Sequence, residues 1–255
     1  MSITSAFRAT VIAITMAGMT FSVGAAPGAS AVPQAKATKP SAEQSAPDAR
    51  HWILHTHRSA LSFVMTKNSS VAEIGYFRGI YGEITPSGDM TLYVPLDKTS
   101  TQVEIRDQRM AEHLWETDKF KLAKITAKVM PSEIEKVEIG KPVKLDHIKV
   151  TIDLHGHQKE YKSRFVFFRI IEDRFIIQGL EPIIVNAADF GLTDGINKLR
   201  ELAGLESIST AVPVSFDFTF ESKEKYQQRI AEWKRQKAIM DQKRKEAEAA
   251  KKSAK

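Results

Sequence analysis

The stretch Val212-Pro213-Val214-Ser215-Phe216-Asp217-Phe218-Thr219-Phe220 decides how this chain folds. Val212, Val214, Phe216, Phe218 and Phe220 are apolar, and Ser215, Asp217 and Thr219 among them are polar. Successive strand side chains point to opposite faces, so the run makes a strand with one dry and one wet face. Ile148, Val150, Ile152 and Leu154 alternate in the same way with Lys149, Thr151 and Asp153, and Met90, Leu92, Val94 and Leu96 do so over a shorter span. Strands buried on both faces read as continuous apolar runs, so repeated alternation predicts antiparallel pairing.

Turn signals separate the runs. Pro86-Ser87-Gly88-Asp89 predicts a hairpin between Ile84 and Met90. Gly140-Lys141-Pro142 divides a Val137–Ile139 run from a Val143–Leu154 run, and Glu172-Asp173-Arg174 links Phe165–Ile171 to Phe175–Leu180. About eight to ten strands at this spacing predict an all-β antiparallel barrel or sandwich. Two short helices interrupt the pattern. One is expected over Gln108 to Glu116 with Met110, Leu114 and Trp115 on its apolar face. The other is expected over Asp194 to Ala203, capped by Thr193, stopped by Gly204, with Ile196, Leu199 and Ala203 facing the barrel.

Composition sets outer limits. The chain has 255 residues, 42% hydrophobic and 27% charged, too apolar for a wholly disordered protein. It has no cysteine, which excludes disulfides, thiolate metal sites and thiol nucleophiles. From Glu221 to Lys255 there are twelve Lys or Arg against six Asp or Glu, so the net charge of +6 belongs to this tail and the remainder is neutral. A body-wide nucleic-acid face is therefore not expected.

Residues 1–31 read as a cleavable secretory signal. Arg8 precedes an apolar stretch from Ala9 to Val23, and Ala29-Ser30-Ala31 offers a cleavage site before Val32, with Val23-Gly24-Ala25 competing. Thr10, Thr15, Gly18 and Thr20 interrupt the stretch, which falls short of the roughly 20 apolar residues a membrane span needs. A soluble, exported protein is expected, periplasmic or secreted. Residues 32–50 read as a flexible leader, 51–220 as the folded domain and 221–255 as a basic helical tail. In the tail Tyr226, Ile230 and Trp233 form only a brief apolar stripe. Its plain role is a solvated helix; its functional role would be transient contact of 222–255 with anionic headgroups.

The candidate chemistry is sparse. No G-x-S-x-G, H-E-x-x-H, phosphate loop or G-x-G-x-x-G is present. His51, His55 and His57 share strand parity, and His155 and His157 bracket Gly156. If the two strands were neighbours these imidazoles would meet as metal ligands, but solvated histidine is the weightier reading and no metal is expected. Arg106-Asp107-Gln108-Arg109 reads either as a helix start capped by Asp107 or as a cationic rim for a ligand head.

From Trp52 to Phe220 the chain resembles the YceI-like, polyisoprenoid-binding family. Arg58-Ser59-Ala60-Leu61-Ser62-Phe63 is similar to its first-strand pattern, and Gly75-Tyr76-Phe77 with Gly82-Glu83-Ile84 to its G-x-F…G-x-I segment. Thr101 to Asp107 resembles its T-x-x-x-x-R-D signature, Trp115 to Phe120 its aromatic-D-x-x-K-aromatic run, Leu154-His155-Gly156 its L-x-G, and Asp189-Phe190-Gly191-Leu192 its D-F-G. The chain departs from the pattern at Arg58 and Arg109, where the family has His, at Lys121 in place of Pro, and at Ala187 in place of Arg.

The resemblance implies an eight-stranded lipocalin-like barrel with no catalytic residues, holding a long isoprenoid chain of quinone or prenyl-phosphate type. Apolar parity and the resemblance together select Phe63, Phe77, Leu92, Val94, Leu114, Trp115, Phe165, Phe167, Phe190, Leu199, Phe216 and Phe218 as lumen lining, with Arg106, Asp107 and Arg109 as the polar rim. No cofactor is expected to be required, and a bound isoprenoid lipid or quinone is compatible with the resemblance. Burying about ten methylenes would contribute roughly 8 kcal/mol before ordering costs. The competing reading is a non-enzymatic interaction protein whose filled barrel displays the basic helix to a membrane or partner. A homodimer is compatible with either, and no nucleic acid is expected as partner.

Overall fold

The computed structural model describes residues 50–253; the predicted export signal and nearly all of the leader lie outside the described residues. Eight strands run in chain order, several of them broken once. β1 (Trp52–Leu54 and Ala60–Lys67) is split by the 3-10 turn Thr56–Arg58, and β2 comprises Val71–Phe77 and Tyr81–Ile84. β3 comprises Asp89–Pro95 and Thr99–Ser100 around the turn Leu96–Lys98. β4 (Leu122–Lys128), β5 (Val143–Leu154) and β6 (His157–Ile171) follow, then β7 (Arg174–Gly179 and Ile183–Asn186) and β8 (Ala211–Ser222).

Each strand pairs antiparallel with the next, as in Leu92 with Ile125, Ile125 with Ile152 and Ile177 with Phe218. β8 then pairs with β1, Leu54 opposite Phe220 and Phe63 opposite Val214. That last ladder closes the sheet into an eight-stranded up-and-down barrel with no open edge. The alternation left barrel and sandwich open, and the sheet closes as the eight-stranded barrel that the resemblance implied.

Local chemistry sets the corners. Between β2 and β3, Gly88 N–H donates to the Thr85 carbonyl at 2.8 Å and Asp89 N–H to the Thr85 hydroxyl at 3.1 Å. Between β5 and β6 only His155 and Gly156 intervene, both at positive φ (53° and 80°), as a tight primed turn requires. β5 bulges between Leu145 and Ile148, with His147 at φ 61°.

Three expectations are corrected. The Val137–Ile139 run forms no strand: a short helix, Pro131–Glu135, precedes it, Val137 is buried, and Ile139 makes one isolated bridge to Arg169. Pro131 at the first helical position was the overlooked signal. The first helix, α1 (Glu104–Arg109), starts four residues before Gln108 and passes into a π-helical turn, Met110–Leu114. Asp107 therefore lies inside the helix, and its carboxylate reaches back to the Thr101 N–H (2.7 Å) and hydroxyl (2.6 Å). With α2 assigned to Pro131–Glu135, α3 spans Thr193–Ala203 and ends on Gly204 at φ 62°. α4 spans Lys223–Ser253.

The barrel interior is packed at one end. Trp52 meets Phe175 edge-on at 4.7 Å, and Phe175 stacks with Phe220 at 5.4 Å and Phe167 at 6.0 Å. Ile84, Val129, Ile134 and Val137 fill around these rings, so α2 stoppers this end. Arg169 fastens it, donating from Nε to the Val137 carbonyl (2.8 Å) and from Nη2 to the Ile134 carbonyl (2.7 Å). Burial pulls its pKa below the ordinary arginine value.

Candidate functional site: an apolar cavity at the open end of the barrel

At the other end the side chains do not meet. They leave a cavity of about 380 Å³. β1 contributes Leu61, Phe63, Met65 and Lys67, β3 contributes Val94, and β8 contributes Val212 and Val214. Ala123 and Ile125 of β4 and Ile152 and Leu154 of β5 complete the strand wall. These positions share parity on each strand, so the alternation that made the barrel also makes the wall apolar.

The helices form the roof. Ile196, Leu199 and Ala203 recur along α3 at helical spacing and all face the cavity. Met110, Leu114 and Trp115 face it from the π-helical turn. α3 can cross that turn closely because position 195 is glycine: a Cβ there would stand 2.5 Å from the His113 carbonyl oxygen. On the wall, the Phe63 ring lies over Gly75, where a Cβ would stand 2.2 Å from it. Phe63, Phe77 and Trp115 then follow one another at 5.0 and 5.9 Å between ring centres. The solvent-exposed members of the wall are Val103, Ile105 and Ala203, which place the mouth between the start of α1 and the end of α3.

Polar groups in the wall are few: Lys67, Arg106, Arg109 and Ser209. Behind the first two stands Glu73, accepting from Lys67 Nζ at 2.6 Å and from Arg106. The Lys67 hydrogen bond, then the Arg106 charge, hold the Glu73 carboxyl below its usual range against the opposing effect of burial. Arg109 Nη1 donates to the Leu202 carbonyl of α3 at 3.1 Å. Among the described residues no carboxylate lies within ion-pair reach of Arg109.

The residues selected from sequence divide between the two ends. The structure places Phe63, Phe77, Val94, Leu114, Trp115 and Leu199 in the cavity wall. Leu92, Phe165, Phe167 and Phe218 are buried in the packed core away from that wall. Phe216 leans on Phe165 (5.2 Å) and Phe218 (5.0 Å), and Phe190 is fully buried in the 3-10 turn Ala187–Phe190. Inward parity is shared by both ends of a strand; height along the barrel axis separates lining from filling. Arg106 and Arg109 reach the wall, whereas Asp107 is spent on Thr101. Ile152, Leu154, Val212 and Val214 were missed although they lie in the runs that revealed the fold. Leu205, Ile208 and Ser209 lie in a connection with no periodic signal.

The histidines do not converge. β1 neighbours β2 and β8, while His155 and His157 sit at the β5–β6 turn. His155 Nε2 faces a Glu116 oxygen at 3.0 Å, with its ring against Phe120 at 4.1 Å. Among the described residues no group of three metal-ligating side chains is assembled. His55 is not on a wet face: β1 breaks after Leu54, the parity is lost, and His55 is buried. Burial lowers its pKa, and Arg229, Arg58 and Arg174 lower it further against the attraction of Glu221.

No family model and no curated protein matches the sequence. Among solved structures, a polyisoprenoid binding domain from Saccharophagus degradans implicated in plant cell wall breakdown aligns over 67% of this chain and 98% of its own, with 32% identity and a TM-score of 0.65. The chain belongs to the YceI-like family. BcnA of Burkholderia cenocepacia aligns over 65% of this chain and 98% of its own, with 10% identity and a TM-score of 0.50, a likeness of fold alone. The YceI-like barrel here spans β1 to β8, and α4 extends past it.

Proposed function

We propose that this protein is a non-enzymatic lipid-binding protein that takes an isoprenoid chain into the cavity at the open end of its barrel. The observation that carries the reading is a void of about 380 Å³ with apolar walls in a barrel whose other end is filled by Trp52, Phe167, Phe175 and Phe220. The Saccharophagus relative, a polyisoprenoid binding domain, supports the isoprenoid as the chain. An apolar cavity of about 150 Å³ holds one benzene, so the space here accommodates about fifteen carbons, or three isoprene units. A longer quinone or prenyl-phosphate chain would leave its remainder at the mouth. Residues 1–31 support a periplasmic or secreted setting for this role.

The basic tail lies away from this event. β8 enters at the cavity with Val212 and Val214 and leaves at the packed end with Phe220 to Ser222, where α4 begins. Among the described residues no helix is long and apolar enough to cross a membrane.

Native mass spectrometry of the full chain with geraniol, farnesol, geranylgeraniol and farnesyl phosphate tests the reading. One-to-one complexes whose affinity rises from geraniol to farnesol and then levels off are expected. A protein that binds none of the four overturns it.

A further inference from the structure

We infer that Arg109 makes this cavity selective for an isoprenoid with an anionic head over one with a neutral head; the inference rests on the isoprenoid reading above. The wall contains three cations, Lys67, Arg106 and Arg109, and among the described residues no carboxylate. Lys67 and Arg106 are both engaged by Glu73, which stands behind them. Those two share the one carboxylate of Glu73, and Arg109 is the wall cation that has no carboxylate partner among the described residues. Of the five N–H donors of a guanidinium, Arg109 spends one on the Leu202 carbonyl.

That bond also fixes the group in place. Leu202 lies in the last turn of α3, whose unpaired carbonyls attract a cation. The guanidinium is thereby held at the cavity wall, between α1 and α3, beside the mouth marked by Val103, Ile105 and Ala203. A chain that fills the cavity must leave its head at this mouth. A phosphate there would accept charge-assisted hydrogen bonds from the remaining donors, with apolar surface around them to limit screening. A neutral hydroxyl or quinone carbonyl would gain only an ordinary hydrogen bond. The guanidinium keeps its charge at pH 8, where a phosphate monoester is also charged.

The test compares farnesol with farnesyl phosphate at pH 8, by titration of the full chain, in wild type, Arg109→Gln and Arg109→Lys, with inorganic phosphate as a third probe. Wild type should bind farnesyl phosphate about tenfold or more tightly than farnesol. Arg109→Gln should remove most of that preference by weakening farnesyl phosphate far more than farnesol. Arg109→Lys should retain most of the preference. A purely structural role at the end of α3 would weaken both ligands alike in Arg109→Gln, and that result overturns the inference, as does equal affinity for both in wild type. Inorganic phosphate binding as tightly as farnesyl phosphate also overturns it, because the anion would then need no chain. If no prenyl compound binds, the isoprenoid reading itself fails; if both bind equally, that reading stands and only the selectivity is refuted.

Discussion

Replacing Ala123 by Phe should tighten the protein and weaken its ligand at the same time. Ala123 is 6% exposed, lies in the cavity wall and pairs with Val94 on the neighbouring strand. A phenyl ring needs about the space of a benzene-binding cavity, roughly 150 Å³, so it would occupy about two-fifths of the 380 Å³ void. Filling voids commonly adds about 0.5–2 kcal/mol of stability, which for a domain of this size raises Tm by about 2–4 °C per kcal/mol. The ring also displaces about six ligand carbons, worth about 5 kcal/mol of burial at ~0.8 kcal/mol each. Freedom regained by the expelled segment offsets part of this, and a net loss of about 3 kcal/mol corresponds to roughly a hundredfold in Kd. Thermal denaturation without ligand gives the first quantity. Quenching of Trp115, itself in the wall, gives the second on titration with farnesol. A variant that loses stability while keeping its farnesol affinity refutes the argument, because the space would then be neither empty nor the place where the chain sits.

The packed end yields further expectations. Glu221 is fully buried and accepts from Arg229 Nε of α4 at 2.9 Å, with Arg174 at 3.7 Å. Arg229→Ala would strand most of that charge and should cost about 3 kcal/mol or more, read by chemical denaturation; an unchanged midpoint contradicts the clamp. Truncation must therefore be placed beyond this pair. A chain ending at Trp233 should keep both its stability and its farnesol affinity within about twofold, since α4 starts from the end opposite the mouth, and a large loss of binding would show that the tail serves the cavity. His55 supplies a pH expectation. Its folded pKa lies below the unfolded value, so unfolding takes up a proton and its contribution is complete above about pH 6.5 and is lost as pH falls below it. His55→Gln should flatten the stability profile between pH 6.5 and 5, and an unaltered slope in denaturant titrations across that range would count against the buried neutral imidazole.

Much of the fold was legible because strand periodicity is a local property. The alternation through Val212 to Phe220 and Ile148 to Leu154 assigns every residue to one of two faces, and the turns at Pro86–Asp89 and Glu172–Arg174 delimit the strands. Local signals also failed in identifiable ways. His55 follows a strand that stops one residue earlier, so its parity meant nothing. Asp107 looked like a cap and proved to be tied backwards to Thr101 inside the helix.

What the sequence by itself determined is which side chains face inward and that the interior is greasy, because both follow from alternation along each strand. Only the tertiary structure decided where that interior is full. Phe167 and Phe175 meet Phe220 and Trp52 across the closed ring, while Ala123 and Val94 face Leu199 and Ile196 across a gap. Emptiness is a sum over side-chain volumes from all eight strands and two helices at one height along the axis, and no single segment carries that sum.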